Sequence, residues 1–350
     1  MREVAIVSFA QAPNARRELR NEVEILMPVV REAVERSGLP RTGIDFTCSG
    51  STDFLQGQPF AFVLALDAAG AWPPIAESHV EMDGAWALYE AWVKIQTGEA
   101  ETALVYSFGK SSPGDLPEVL ALQLDPYVTA PLWPDAVSLA ALQARAYLEH
   151  SGRSERDLAE VAVRSRRDGR TNRNTTVSGD FAIEKLLAEP YLVAPLRKHD
   201  CPPITDGAAA VVLAAGDRAR SICERPAWIR GIDHRVEGHQ LGARELWSSP
   251  STRLAGEKAG VGRAPVDLAE LHAPFTHQEW ILREALGLGD DVAINPSGGA
   301  LCANPMMVAG LTRIGEAASR IHAGEARRAV AHATSGPCLQ QNLVCVLEGE

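Results

Sequence analysis

Apolar and polar positions along the chain follow two periods, one typical of strands and one typical of helices. Unbroken apolar runs at 102–109 (TALVYSFG) and 207–216 (GAAAVVLAAG) predict strands that are buried on both faces. Residues 22–38 (EVEILMPVVREAVERSG) repeat apolar side chains at helical spacing and end at a glycine, which predicts an amphipathic helix. Strands that alternate with helices predict an α/β fold.

The alternation extends over most of the chain but is interrupted at 110–190, where a Pro-rich stretch precedes the Arg-dense segment 161–174. We therefore predict an N-terminal half at 1–218, with a loop domain at about 110–190, and a C-terminal half at 219–350. The remaining predicted elements are strands at 3–9, 227–235, 326–336 and 341–349, and helices at 83–99, at 136–151, within 268–288 and within 295–321.

Composition places the chain among ordinary globular proteins. It has 350 residues, of which 46% are hydrophobic and 23% charged. A net charge of −11 argues against nonspecific nucleic-acid binding, which needs a basic surface. No apolar run reaches 18 residues, and the N-terminal apolar stretch is too short for a signal peptide. We therefore expect a cytoplasmic protein that does not span a membrane.

Cysteine and histidine spacing gives no metal or disulfide pattern. The six cysteines lack a CxxC pair, and the nine histidines lack a ligand pair beside carboxylates, so we expect buried free thiols and no bound metal. The cysteines are Cys48, Cys201, Cys223, Cys302, Cys338 and Cys345.

Four segments, in order, resemble motifs of the thiolase superfamily, in particular of the branch that contains the thiolase domain of sterol carrier protein x. They are KHDCPPITDGAAAVVLA (198–214), LHAPFTHQE (271–279), NPSGGALCANP (295–305) and SGPCLQQNLVCVLE (335–348). The resemblance implies a thiolase fold of two five-stranded αβαβα halves and an obligate homodimer. It also implies a coenzyme A tunnel that leads to a helix N-terminus, with coenzyme A as part of the substrate and no other cofactor.

Two positions depart from the thiolase pattern. Glu81 stands where the resemblance places the nucleophilic cysteine, and Asn304 replaces the histidine that would deprotonate it. A carboxylate lacks the nucleophilicity of a thiolate, and an amide is not a base, so these two residues argue against chemistry through an acyl-cysteine. Glu81 is a candidate general base if it is desolvated. Asp83 is either a substrate-binding group or a helix N-cap, and we prefer the cap.

Other candidate residues come from the matched motifs. His272 occupies a position that helps to hold the thioester oxygen in the family, and it could serve as the base or as a hydrogen-bond donor to an enolate. A core histidine is the alternative, and we prefer the functional role. Cys338 is either an acid/base residue or a packing thiol. Asn295, Gly298 and Gly299 shape a Gly-rich turn that serves either substrate binding or packing. Arg164 and Arg167 are candidates for the coenzyme A phosphates, or they lie on a solvated helix face with Arg166, Arg170 and Arg173.

The chain also resembles actinobacterial lipid-transfer thiolase-like proteins, which include aldolases of steroid side-chain catabolism. This resemblance implies a retro-aldol cleavage of a β-hydroxyacyl-CoA in lipid metabolism, in complex with a small zinc-ribbon/OB-fold protein. Those aldolases use tyrosines, whereas this chain has His272 in the comparable motif, and Tyr89 and Tyr127 are not obvious equivalents. An atypical acyl-CoA acyltransferase and a noncatalytic acyl-CoA-binding subunit are the alternatives.

Overall fold

The computed structural model describes residues 2–350 and contains twelve α-helices and fourteen β-strands in that range. The helices are α1 (Glu22–Ser37), α2 (Asp53–Gln56), α3 (Ala61–Ala69), α4 (Gly84–Gln96), α5 (Leu116–Leu122), α6 (Ala136–Ser151), α7 (Glu155–Asp168), α8 (Ile183–Leu187), α9 (Gly216–Ile222), α10 (Pro250–Ala259), α11 (Thr276–Leu286) and α12 (Ala309–His322). The strands are β1 (Val4–Gln11), β2 (Phe46–Gly50), β3 (Glu77–Val80), β4 (Thr102–Gly109), β5 (Tyr191–Val193), β6 (Leu196–Arg197), β7 (Ile204–Thr205), β8 (Gly207–Ala215), β9 (Ala227–Val236), β10 (Leu268–Leu271), β11 (Ala293–Ile294), β12 (Asn304–Pro305), β13 (Arg328–Ser335) and β14 (Gln341–Glu348).

Ten strands form one sheet, in the order β11-β10-β13-β14-β9-β1-β8-β4-β2-β3. Five of them precede α9 in the chain and five follow it. The two groups meet where β1 and β9 pair antiparallel through two residue pairs, Ala5–Trp228 and Ile6–Ala227. The α/β fold with two groups of five strands is therefore confirmed.

The sheet is covered on both faces, as the unbroken apolar runs predicted. Along β4, Ala103 and Val105 pack toward α4 and α12, whereas Leu104 and Tyr106 pack toward α1 and α3. The second group of strands has α10 and α11 on its outer face. The resulting layers are α1 with α3, five strands, α4 with α12, five strands, and α10 with α11. The two helices α4 and α12 are thus the central layer.

Local capping sets the ends of the predicted helix α1. The Asn21 side chain accepts the N–H of Glu24, and the Glu24 carboxylate accepts the N–H of Asn21, each at 2.9 Å. This capping box satisfies two N–H groups that the first helical turn leaves free. The helix ends at Gly38, whose φ of 71° is accessible to glycine without steric cost.

Residues 110–190 contribute four helices, α5 to α8, and no strand of the large sheet. The predicted boundary near residue 218 falls within α9, between the two groups of strands, and the division into domains stays a prediction. Of the helices in residues 2–350, none combines the length and apolar character needed to cross a bilayer.

Candidate active site

A cavity of about 1100 Å³ lies between residues 110–190 and the loops that precede the central helices α4 and α12. Glu81, Asp83, His272, Asn304 and Cys338 all contribute to its wall. These candidates lie up to 257 positions apart in the chain, and the fold brings them to one place. Of the residues named from the sequence, Asn295, Gly298, Gly299, Arg164 and Arg167 do not line this cavity.

Asp83 caps both central helices. Its side chain is buried and accepts the N–H of Ala85 in α4 at 2.8 Å. It also accepts the N–H groups of Gly310 and Leu311 in α12, at 2.9 Å and 3.0 Å. A side chain at Gly310 would collide with the Asp83 carboxylate, so this approach needs glycine. Burial raises the pKa of the Asp83 carboxyl, and the three N–H donors oppose that rise.

The contacts of Asp83 are those of a helix N-cap, the role preferred from the sequence. They also affect which N–H groups are available to hold a thioester. The resemblance implied a helix N-terminus that points at the thioester. Asp83 already occupies N–H groups at the start of both central helices. The positive ends of the two helix dipoles are compensated within the protein.

We expect Asp83→Ala to lower the free energy of unfolding by at least about 3 kcal/mol, because three buried N–H groups lose their acceptor. The matched control is Asp115→Ala at the exposed cap of α5, which accepts one N–H, from Glu118, at 3.3 Å. That variant should lose about 1 kcal/mol. Urea unfolding followed by circular dichroism measures both losses, and equal losses would contradict a dual cap.

His272 is buried and has both ring nitrogens engaged. Its Nδ1 accepts the backbone N–H of Thr334 at 3.3 Å, so a neutral ring carries its proton on Nε2. This N–H donates to Asn304 Oδ1 at 2.9 Å. Burial lowers the pKa of His272 to about 4, so the ring is neutral near pH 7. The base role considered for His272 is not supported by this geometry, because neither nitrogen has a free lone pair.

The bond from His272 orients the Asn304 amide. With Oδ1 occupied and the Asn304 backbone N–H bound to Thr205 Oγ1 at 2.9 Å, the amide Nδ2 has no partner among residues 2–350. Asn304 lines the cavity, and an amide nitrogen can only donate. The pair therefore provides a donor for a developing negative charge.

Glu81 follows β3 and its side chain is half-exposed to the cavity. Its Oε1 accepts the N–H of Asp53 at 2.6 Å, and its Oε2 lies 3.2 Å from His79 Nε2. Two other carboxylates line the described cavity, and both cap helices: Asp83, and Asp135 at the start of α6. Glu81 is therefore not desolvated, which was the condition for its role as a base, but among these three groups it is the one whose side chain is half-exposed.

Cys338 lies in the β13–β14 loop with a φ of 55°, and its thiol donates to Leu139 O at 3.4 Å. Burial raises its pKa to about 12, so it is a thiol at neutral pH. The cavity wall also holds Cys201, which the motifs did not single out and whose pKa burial likewise raises to about 12. Neither thiol bonds to His272, and neither is the ready thiolate that acyl transfer requires.

Asn295 and the two glycines build the turn before Asn304. Asn295 Oδ1 accepts the N–H of Leu271 at 2.6 Å, and Nδ2 donates to Glu279 at 3.0 Å. Gly298 and Gly299 have φ values of 93° and 63°. These contacts fit the packing alternative rather than substrate binding.

The geometry does not support coenzyme A contacts by the two arginines named from the sequence. Arg164 donates to both Glu279 oxygens, at 2.6 Å and 2.5 Å, and the exposed Arg167 pairs with Asp168. Arg166 lines the cavity instead and donates to His199 O at 3.3 Å. Helical periodicity distinguishes Arg166 from the other arginines of this segment, because it lies on the same buried face of α7 as Leu158 and Ala162, at a spacing of four residues.

No family model matches the chain. An acetyl-CoA acetyltransferase of Methanocaldococcus jannaschii is 26% identical over 90% of this chain and 89% of its own length. A 17-hydroxy-3-oxo-4-pregnene-20-carboxyl-CoA lyase of Mycobacterium tuberculosis is 26% identical over 81% of this chain and 78% of its own.

The solved structure of an Ltp2-ChsH2(DUF35) aldolase superposes with a TM-score of 0.82 at 19% identity, over 99% of this chain and 97% of that one. At this identity the match shows a shared fold. The five-layer fold, the ordered motifs and the sequence relatives agree with one another. The chain has the thiolase fold, and its sequence is similar over most of its length to thiolases, to sterol carrier protein 2 of Gallus gallus and to a steroid-CoA lyase.

Proposed function

We propose that this enzyme cleaves a β-hydroxyacyl-CoA by a retro-aldol reaction, giving a ketone or aldehyde and a shorter acyl-CoA. One observation carries the proposal. Glu81, which the resemblance places at the position of the thiolase nucleophile, lines the same cavity as the amide donor of Asn304. This cleavage needs a base and a hydrogen-bond donor to the enolate. It does not need a thiolate nucleophile.

In the proposed reaction, Glu81 accepts the proton of the β-hydroxyl group. The Cα–Cβ bond breaks, the β-carbon becomes a carbonyl, and the electron pair moves into the thioester to form an enolate. Asn304 Nδ2 donates to the enolate oxygen while His272 holds the amide. Glu81 then returns its proton to Cα, so the reaction needs no outside oxidant or second base. Cys338, a buried neutral thiol in the same wall, is the alternative acid for this step.

The cavity wall favours a bulky apolar acyl group. It includes apolar side chains from α5, α6 and the C-terminal loops, such as Leu120, Val137, Phe275 and Met306. The cavity volume of about 1100 Å³ has to hold the coenzyme A portion as well, so the apolar wall rather than the volume supports a bulky acyl group. Together with the lyase relative, this supports a substrate of the steroid side-chain type.

Three basic residues in the cavity wall, Arg16, Arg166 and Lys198, suit the phosphates of coenzyme A. They replace Arg164 and Arg167 in this proposal. Arg166 is held in place by its bond to His199 O and by the Phe181 ring, 5.1 Å from its guanidinium carbon. A guanidinium that is already ordered loses little entropy when it binds an anion.

We also propose a homodimer that binds a small zinc-ribbon/OB-fold protein. β3 lies at the edge of the sheet, and apolar side chains nearby, including Phe60 and Trp72, are 70% and 86% exposed. Exposed strand edges and large exposed apolar side chains mark association surfaces. The aldolase structure whose fold this chain shares is a complex with a DUF35 protein, which supports the second partner.

Incubation with a tertiary β-hydroxyacyl-CoA, followed by mass spectrometry, tests the activity. The reaction should be run with and without the small OB-fold protein. We expect a ketone and a shorter acyl-CoA in equal amounts. A stable acyl adduct on the protein after exposure to acetyl-CoA would favour acyl transfer instead. Binding of acyl-CoA with no product under either condition would favour a noncatalytic subunit.

A further inference from the structure

A line of polar side chains continues from Glu81 away from the cavity. His79 Nε2 lies 3.2 Å from Glu81 Oε2, and His79 Nδ1 lies 2.9 Å from Ser49 Oγ. Ser49 is fully buried and lies 3.5 Å from Glu77 Oε1. The line therefore joins the proposed base to the interior of the sheet through one imidazole.

The pairing of β2 with β3 determines this arrangement. The strands are parallel, and Ser49 is the direct partner of His79. Side chains at alternate positions share a face of a strand, so Glu77 and His79 point the same way, and Glu81 continues that spacing just beyond the strand. The Phe62 ring stacks on His79, with the ring centroids 4.4 Å apart and the planes 9° apart. The imidazole is held by bonds at both nitrogens and by a stacked ring.

We propose that His79 is a positioning residue for Glu81, an inference that rests on the proposed function. The Glu81 carboxylate can only accept, so its bond with His79 requires the ring proton on Nε2. In the neutral ring Nδ1 then accepts the Ser49 hydroxyl at 2.9 Å, in preference to the longer contact of that hydroxyl with Glu77 at 3.5 Å. The N–H of Asp53 holds Oε1. The two donors fix the carboxylate plane and leave each oxygen one lone pair for the substrate.

Two substitutions of His79 distinguish the hydrogen bond made by Nε2 from the one made by Nδ1. His79→Gln places an amide nitrogen near the position of Nε2 and can keep the bond to Glu81. His79→Asn reaches only the position of Nδ1 and loses that bond while it keeps the contact with Ser49. A residue that acts only through packing would tolerate both variants similarly, or lose stability in both.

We expect His79→Asn to lower kcat for cleavage by about 10- to 100-fold with little change in KM, because a hydrogen bond to a charged group is lost. His79→Gln should stay within about threefold of the unmodified protein. Thermal unfolding of both variants, followed by circular dichroism, shows whether they are folded. Equal kcat for His79→Asn and the unmodified protein, with Glu81→Gln inactive, would overturn the inference.

A second measurement separates this inference from the cleavage reaction. Exchange of the Cα protons of a saturated acyl-CoA in D₂O, followed by mass spectrometry, needs a positioned base and an enolate donor but no hydroxyl group. Exchange that is lost in Glu81→Gln and His79→Asn and kept in His79→Gln supports the inference even where no cleavage occurs. Exchange that is unchanged in His79→Asn refutes it.

Discussion

Glu81→Gln is expected to lower kcat for cleavage of a β-hydroxyacyl-CoA by about 10²- to 10⁴-fold, the usual contribution of a general base. Glutamine has nearly the same shape as glutamate, and its oxygen can still accept the N–H of Asp53. It cannot accept the hydroxyl proton at neutral pH. KM should change little, because the coenzyme A portion is bound elsewhere in the cavity in our proposal.

The control for this substitution is Glu118→Gln on α5. Glu118 is exposed and does not line the cavity, although its neighbours Leu116 and Pro117 do. This variant removes one negative charge near the cavity and should keep kcat within about twofold, since surface charges contribute little. Cleavage at the normal rate by Glu81→Gln would remove Glu81 as the base and with it the proposed mechanism.

Asn304→Ala is expected to lower kcat by about 10²- to 10³-fold, the effect of removing one donor to an oxyanion. The variant also leaves the Nε2–H of buried His272 without its acceptor. Alanine alone therefore does not separate the loss of the donor from the loss of this support.

Asn304→Asp makes that separation. An aspartate oxygen can still accept the His272 N–H, but the second oxygen replaces the donor by a negatively charged acceptor facing the enolate. We expect a loss at least as large as that of Asn304→Ala, measured as kcat in the same assay. A variant that retains full activity would show that Asn304 does not stabilise the enolate.

Much of the fold could be predicted because local patterns decide it. The unbroken apolar run at 102–109 became β4, and the helical pattern at 136–151 became α6 with the same bounds. Such elements depend on periodicity and on which residues must be buried. The candidate site was predictable only in part, since Glu81, His272, Asn304 and Cys338 line one cavity, whereas Asn295, Gly298 and Gly299 do not.

The roles of these residues depend on partners far away in the chain. Asp83 meets Gly310 and Leu311 across more than 220 residues, and the tautomer of His272 follows from the N–H of Thr334. The sequence makes Arg164 a candidate for phosphate binding, whereas in the structure its guanidinium pairs with Glu279. No periodicity encodes such pairings, because each requires the relative placement of two separate elements.

The dual cap at Asp83 has a consequence for how the chain is made. During synthesis, α4 leaves the ribosome more than 200 residues before α12, so Asp83 initially satisfies the N–H of Ala85 and lacks its two other donors. The inner face of the first five strands packs against both α4 and α12, so part of it stays uncovered until α12 has been synthesised. The first five strands and α4 therefore gain their full set of contacts only after α12 has been synthesised, late in the production of the chain.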